Sequence, residues 1–325
     1  MNRKVSSTHV YQLIVSCSPG KLKKCGGAKA SLDMRRQLQK VSDTLEEMHF
    51  HQQHHQQGQE DQTILDWLTP VDYSKQQSDY ISRQQPGTCQ WFLESVEYQT
   101  WLENSNQTLF CTGIPGAGKT ILTSVIVQNV CNNFHGNSTI GIAYIYCESG
   151  RHAEQKILDI ITNLLKQLAH HVPLPSEVKD LYKKHKRNHS RPSLPDMLDS
   201  LRCLGKRFSR VFILIDALDE CDISDGNRTM LLSTLVNLCH EVEANLFATS
   251  RMIPDIIQKF KGSISLEIRA TSKDIQNYVG GCMRILPSFV ENNFDLQDKI
   301  KTTISMLANG MFVSISFFQV LQVLI

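Results

Sequence analysis

Short apolar runs alternate along this chain with stretches in which apolar residues recur every three or four positions. The runs are Thr108-Leu109-Phe110-Cys111, Thr139 to Tyr146, Val211 to Ile215 and Asn245 to Ala248. Each is apolar on both alternate sets of positions, as a strand buried on two faces must be. Ser263 to Ile268 instead alternates, which predicts a half-buried last strand. Helical spacing carries Ile121, Leu122, Val125, Ile126 and Val130, then Ile157, Ile161, Leu164, Leu165 and Leu168. It returns at Met197, Leu198, Leu201 and Leu204 behind Ser193-Leu194-Pro195-Asp196, and again from Met230 to Leu238. Thr271 to Asp274 reads as a capping box before Ile275, Tyr278 and Val279, and Leu296, Ile300, Ile304 and Leu307 mark a further helix. Strand and helix in alternation predict an α/β fold: three layers, α/β/α, around a mostly parallel sheet, followed by a partial helical subdomain.

The flanks divide the chain further. Residues 1–60 hold an unassigned start, a polar helix over 31–48 with Leu38, Val41 and Leu45 on one stripe, and a Gln/His-rich linker, His49 to Gln59. Residues 61–105 carry Ile64, Leu65, Trp67 and Leu68, a turn at Gln84 to Thr88, and Trp91, Phe92, Leu93, Trp101 and Leu102 on a pair of short helices. The two close tryptophans predict a segment packed on the next domain, one able to reach a ligand held there. The core spans 106–268 and the helical subdomain 269–325. The basic run Lys183-Lys184-His185-Lys186-Arg187 with Arg191 reads as a solvated loop. The apolar end, Met306 to Ile325, contains Asn309, Ser314, Ser316, Gln319 and Gln322, and reads as a packed helix, not a membrane span.

The first strand and first helix of the core are joined by Gly113-Ile114-Pro115-Gly116-Ala117-Gly118-Lys119-Thr120, which is G-x-x-x-x-G-K-[ST]. Polyphosphate binding explains that spacing. Many main-chain N–H groups must converge on the oxygens, and glycines allow both the close approach and the dihedrals it requires. Lys119 reaches the β- and γ-phosphates, the Thr120 hydroxyl ligates Mg²⁺, and the helix opening through Ile121 adds its positive end. The run Val211 to Ile215 ends in Asp216, at the C-terminal edge where ligands bind in open α/β sheets. Asp216 is read as holding the Mg²⁺ hydration shell opposite Thr120, and Asp219 or Glu220 as orienting or deprotonating the attacking water. Arg251, at the tip of the next strand, is read as a γ-phosphate sensor.

Composition changes this picture little. The chain has 325 residues, 41% of them hydrophobic, enough for a sizeable core. Its formal charge of +2 gives no bias toward nucleic acid or membrane. Ten cysteines without a C-x-x-C pair fit reduced thiols in a cytoplasmic protein, and the N-terminus lacks the apolar stretch of a secretion signal.

Gly113 to Thr120, Ile213 to Cys221 and Ala248-Thr249-Ser250-Arg251 together resemble a NACHT-type P-loop ATPase of the STAND class. Asp66-Trp67-Leu68, Gln85-Pro86-Gly87-Thr88 with Trp91, and Asp216-Ala217-Leu218-Asp219-Glu220-Cys221 are similar to signatures of fungal NLR-like proteins and of the nephrocystin-type N-terminal module. The resemblance covers roughly residues 62–325. It implies a signalling switch: ADP holds a closed form, and ATP exchange opens it and drives oligomerisation. It implies that Lys119 and Thr120 bind phosphate and Mg²⁺, that Asp216 binds Mg²⁺, that Asp219 and Glu220 support slow hydrolysis, and that Arg251 is the sensor arginine. The small Ala217 after the metal aspartate fits the NACHT pattern. Expected partners are the nucleotide, further copies of the chain or other signalling proteins, with no nucleic acid and no membrane. Gly310-Met311-Phe312 stands where related plant-type modules place the Gly-x-Pro that contacts adenine. A non-catalytic nucleotide-binding scaffold and a P-loop kinase, with Arg187 and Arg191 as its clustered cations, are the alternatives. The Asn/Thr-Lys-x-Asp set that reads guanine does not stand beside a strand, which favours ATP.

Overall fold

The computed structural model describes residues 28–150, 155–170, 173–221, 227–283, 290 and 293–307. Two compact units comprise Met1–Thr63 and Ile64–Ile325. The first contributes most of helix α1 (Ala28–Leu68), which is continuous through the stretch expected to be a linker. No proline interrupts it, Gly58 is its only interior glycine, and Gln, Glu, Lys and Arg are good helix formers. Side chains four apart also bond along it: Gln57 Nε2 to Asp61 Oδ1 at 2.7 Å, and Gln59 Nε2 with His55 Nε2 at 3.0 Å. The stripe Leu38, Val41 and Leu45 lies exposed.

In the second unit five parallel strands form one sheet: β1 (Thr108–Gly113), β2 (Ile140–Tyr146), β3 (Arg210–Asp216), β4 (Asn245–Ser250) and β5 (Ile264–Ile268). Their order is β2-β3-β4-β1-β5. This is the expected three-layer α/β/α arrangement of a P-loop NTPase. The apolar runs are explained by side chains leaving the sheet on both faces. Val211, Ile213 and Ile215 of β3 join one core with Leu246 and Ala248 of β4, whereas Phe212 and Leu214 join the other with Phe247.

Helices α2 (Ser74–Ser82), α3 (Gln90–Leu93), α4 (Val96–Glu103) and α5 (Lys119–Asn133) precede β2. Helices α3, α4 and α5 cover the face with Phe247. Trp101 on α4 is fully buried, packs edge-on against Phe212, and donates its Nε1 proton to the Leu246 carbonyl at 3.0 Å. The opposite face is covered by α6 (Ile157–Ala169), α7 (Ser176–Asn188), α8 (Leu194–Gly205), α9 (Asn227–Glu241) and α10 (Pro254–Lys259).

The basic run is helical, not a loop: Lys183 to Arg187 close α7, whose buried stripe is Val178, Leu181 and His185. Positive side chains there meet the negative end of the helix. After β5, α11 (Ser272–Cys282) opens on the expected capping box, and α12 (Phe294–Leu307) packs on it through Ile275, Val279, Ile300 and Ile304. No described helix is long and apolar enough to cross a membrane. The expected terminal helix and Gly310-Met311-Phe312 lie outside the described residues.

The strand register brings the C-terminal ends to one edge: Tyr146 beside Asp216, Thr112 beside Ser250, and Gly113 beside Ile268. A Cβ on Gly113 would meet the Ile268 carbonyl oxygen at 2.8 Å, so the pairing of β1 with β5 requires glycine here. Gly113→Ala is expected to cost about 1–3 kcal/mol through this overpacking, read as a lowered urea midpoint.

Candidate phosphate-binding site

Residues 114–118 form the loop between β1 and α5. Gly116 and Gly118 adopt φ of 75° and 89°, values that disfavour any residue with a side chain. Gly118 is also the N-cap of α5, so the N–H groups of Lys119, Thr120 and Ile121 open the helix without partners inside it. The Lys119 ammonium folds back over the loop and donates to the carbonyls of Gly113 (2.9 Å) and Ile114 (3.1 Å). Burial holds its pKa below the usual lysine value, against the pull of Asp219 and Asp216.

Asp216 sits at the end of β3, 1% exposed. Its Oδ1 accepts hydrogen bonds from Thr249 of β4 (2.7 Å) and Thr123 of α5 (2.9 Å). Burial pushes its carboxyl above the ordinary carboxylate range, and the hydroxyls and Lys119 oppose that shift. Thr249 Oγ1 in turn accepts the Ala217 N–H at 2.8 Å. Ala217 has a left-handed φ of 54°, so the smallest side chain costs least there. A 3₁₀ turn, Leu218–Glu220, follows and presents the two further acids.

Asp219 Oδ2 lies 3.0 Å from Arg251 Nε, and Glu220 Oε1 lies 3.4 Å from Arg251 Nη2. Above these groups opens a cavity of about 540 Å³. Pro115 to Ile121, Glu220 and Arg251 line it, whereas Gly113, Ile114, Asp216 and Asp219 stand behind that lining. Arg187 and Arg191 do not reach it. Its far wall comes from the segment before β1 and from the helical subdomain: Thr88, Cys89 and Trp91 on one side, Asp274 and Tyr278 on the other. The two sides are joined, because Asp274 Oδ1 accepts the Cys89 N–H at 3.0 Å and Asn277 Nδ2 donates to the Gly87 carbonyl at 2.9 Å. Sequence reasoning missed Thr123, Thr249 and Asp274. Only Thr249 carried a signal, as part of the polar tip of an apolar strand.

A glycine loop with its lysine, and an aspartate ending the third strand beneath it, define the class: this is a P-loop NTPase fold. The sequence profile of the family described as Nephrocystin 3, N-terminal, matches residues 87–251, about half of the chain. The chain belongs to that family. None of the curated proteins compared with it matches in sequence.

Solved structures similar to it include a replication initiator DnaA bound to AMPPCP and single-stranded DNA, with TM-score 0.36 and 12% identity over 70% of this chain and 64% of that one. Cdc6p from Pyrobaculum aerophilum gives TM-score 0.43 and 17% identity over 71% and 58%. A Walker-type ATPase of Pyrococcus abyssi gives 0.40 and 16% over 74% of each chain. This chain thus spans less than two thirds of the DnaA and Cdc6p chains.

A carboxyl group with a raised folded-state pKa favours folding while protonated, and that contribution is lost as pH rises through the folded value. The fall in stability from the ordinary carboxylate range upward is therefore expected to be smaller in Asp216→Asn than in wild type. Urea midpoints measured across pH without nucleotide or magnesium check this, and a constant difference between the two proteins contradicts it.

Proposed function

We propose that this chain is an ATP-binding, slowly hydrolysing switch of the NACHT/STAND class, acting in nonself-recognition or cell-death signalling. The convergence of Thr123 and Thr249 on buried Asp216, beneath a glycine loop that opens with Lys119 and Thr120 into the cavity, carries the nucleotide reading. The class and the signalling role rest on the resemblance of Asp216 to Cys221 and Ala248 to Arg251 to that group.

The polyphosphate lies along Gly113 to Ile121, with loop amides and the Lys119 ammonium on its oxygens. Such a phosphate offers Lys119 a charged partner in place of two neutral carbonyls. The donor set suits magnesium, which takes one or two carboxylates together with substrate phosphates and water, so no cluster of acids is required. Thr120 and Asp216 would hold the ion, and it would neutralise charge on the β- and γ-oxygens. Arg251 stands at the γ-phosphate end, and Asp219 or Glu220 serves the water. The base is assigned to the far wall, which Trp91 and Tyr278 line.

Phosphoryl transfer to a second substrate has less support, because the cations expected to serve it, Arg187 and Arg191, lie away from the cavity. Partners beyond the nucleotide are further copies of the chain or other signalling proteins.

Lys119→Ala is expected to weaken Mg²⁺-ATP binding at least about tenfold, the equivalent of one lost charge-assisted contact. Isothermal titration on folded protein checks this, and equal affinity for variant and wild type refutes the reading. Phosphate released from ATP with no acceptor present separates hydrolysis from kinase activity.

A further inference from the structure

Asp219 and Glu220 carry the same chemical group on adjacent residues, yet their surroundings differ. The Asp219 side chain is 4% exposed. Its Oδ1 accepts the main-chain N–H of Arg251 at 2.9 Å, and its Oδ2 meets Arg251 Nε at 3.0 Å. Its own carbonyl accepts from Arg228 Nη2 at 2.9 Å. Both carboxylate oxygens are thus engaged by a single residue, and the backbone beneath them is tied. Glu220 is 30% exposed and lines the cavity. Its contacts are longer: 3.2 Å from the Ser149 N–H to Oε2, and 3.4 Å from Arg251 Nη2 to Oε1.

We infer that Asp219 is a positioning residue for Arg251, and that this pair sets the preference of the site for a nucleoside triphosphate over a diphosphate. The inference rests on the nucleotide reading above and divides the labour between the two acids. Asp219 accepts the Arg251 main-chain N–H and pairs with the guanidinium at Nε, which holds the strand tip and keeps the charged head beside it. Nη2 reaches Glu220 instead. A terminal phosphate within its reach competes with Glu220 for Nη2, and a diphosphate does not extend so far. Glu220, relieved of the long contact, has an oxygen available for water. A bidentate fork is suited to this exchange because its donors keep fixed relative directions.

The test compares dissociation constants for Mg²⁺-AMPPCP and Mg²⁺-ADP in the full chain, together with phosphate release from ATP. Wild type is expected to favour the triphosphate, and Arg251→Ala to lower that ratio about tenfold or more. Asp219→Ala is expected to lower it to the same extent, and the double variant no further, because both changes remove one device. Asp219→Asn keeps an acceptor for the Arg251 N–H and is expected to fall between. Glu220→Gln is expected to keep the ratio and lose phosphate release.

An Asp219→Ala protein that keeps the ratio but loses release, as Glu220→Gln does, overturns the inference, and so does a wild-type ratio near one. Should Asp219→Ala not fold, an unchanged ratio in Asp219→Asn overturns it equally. Failure of the nucleotide reading itself is read separately, as an Lys119→Ala protein that binds like wild type.

Discussion

The carboxylate of Asp216 lies out of water at the end of β3, and threonine hydroxyls from α5 and β4 converge on it. An ionised carboxylate in such a place is costly unless donors surround it. The donors here come from the helix that follows the glycine loop and from the strand that separates β3 from β1. Loop, helix and strand therefore share one electrostatic constraint. A shift of β4 along its neighbours would uncouple Thr249 from both Asp216 and the Ala217 N–H. The parallel register and the shape of the site specify one another.

The same edge shows how opposite charges are kept in a half-buried cleft. Lys119 rests on two loop carbonyls, and Arg251 rests on two acids. Each cation has a local partner that a phosphate oxygen can replace, the two carbonyls for Lys119 and the long Glu220 contact for Arg251. Asp216 differs, because its partners are hydroxyls fixed by secondary structure. The site thus joins one rigid anionic point to two cations, one resting on carbonyls and one held by a buried acid, an arrangement suited to a ligand that carries both phosphate and a metal ion.

Much of this was legible in the residues. The strands could be read because a parallel sheet covered on both sides demands apolar side chains at every position, and Val211 to Ile215 meet that demand. The loop could be read because its glycines answer to dihedrals few other residues tolerate. What escaped notice was polar packing. Helix α2 has the sequence Ser-Lys-Gln-Gln-Ser-Asp-Tyr-Ile-Ser and no apolar stripe. It is held by Gln77 Nε2 on the Ser124 carbonyl (2.9 Å) and by the Tyr80 hydroxyl on Glu148 (2.8 Å). Thr123 and Thr249 escaped for a related reason: their partner lies 93 and 33 residues away, and no local spacing announces it. In α7 and in the Gln/His stretch, polarity suggested loop where intrinsic helix preference and a sparse buried stripe prevailed.

The staple between α11 and the turn before α3 has a mechanical consequence. Asp274 caps its own helix with one oxygen and holds the Cys89 N–H with the other, while Asn277 grips the Gly87 carbonyl. The Gln85 side-chain amide lies over Gly281, where an added Cβ would have to push it aside. These links join chain segments nearly two hundred residues apart, and they do so on the rim of the cavity. A tilt of the α11–α12 pair must therefore either drag that rim along or snap a handful of polar tethers. The width of the cleft and the angle of the helical subdomain behave as one lever arm.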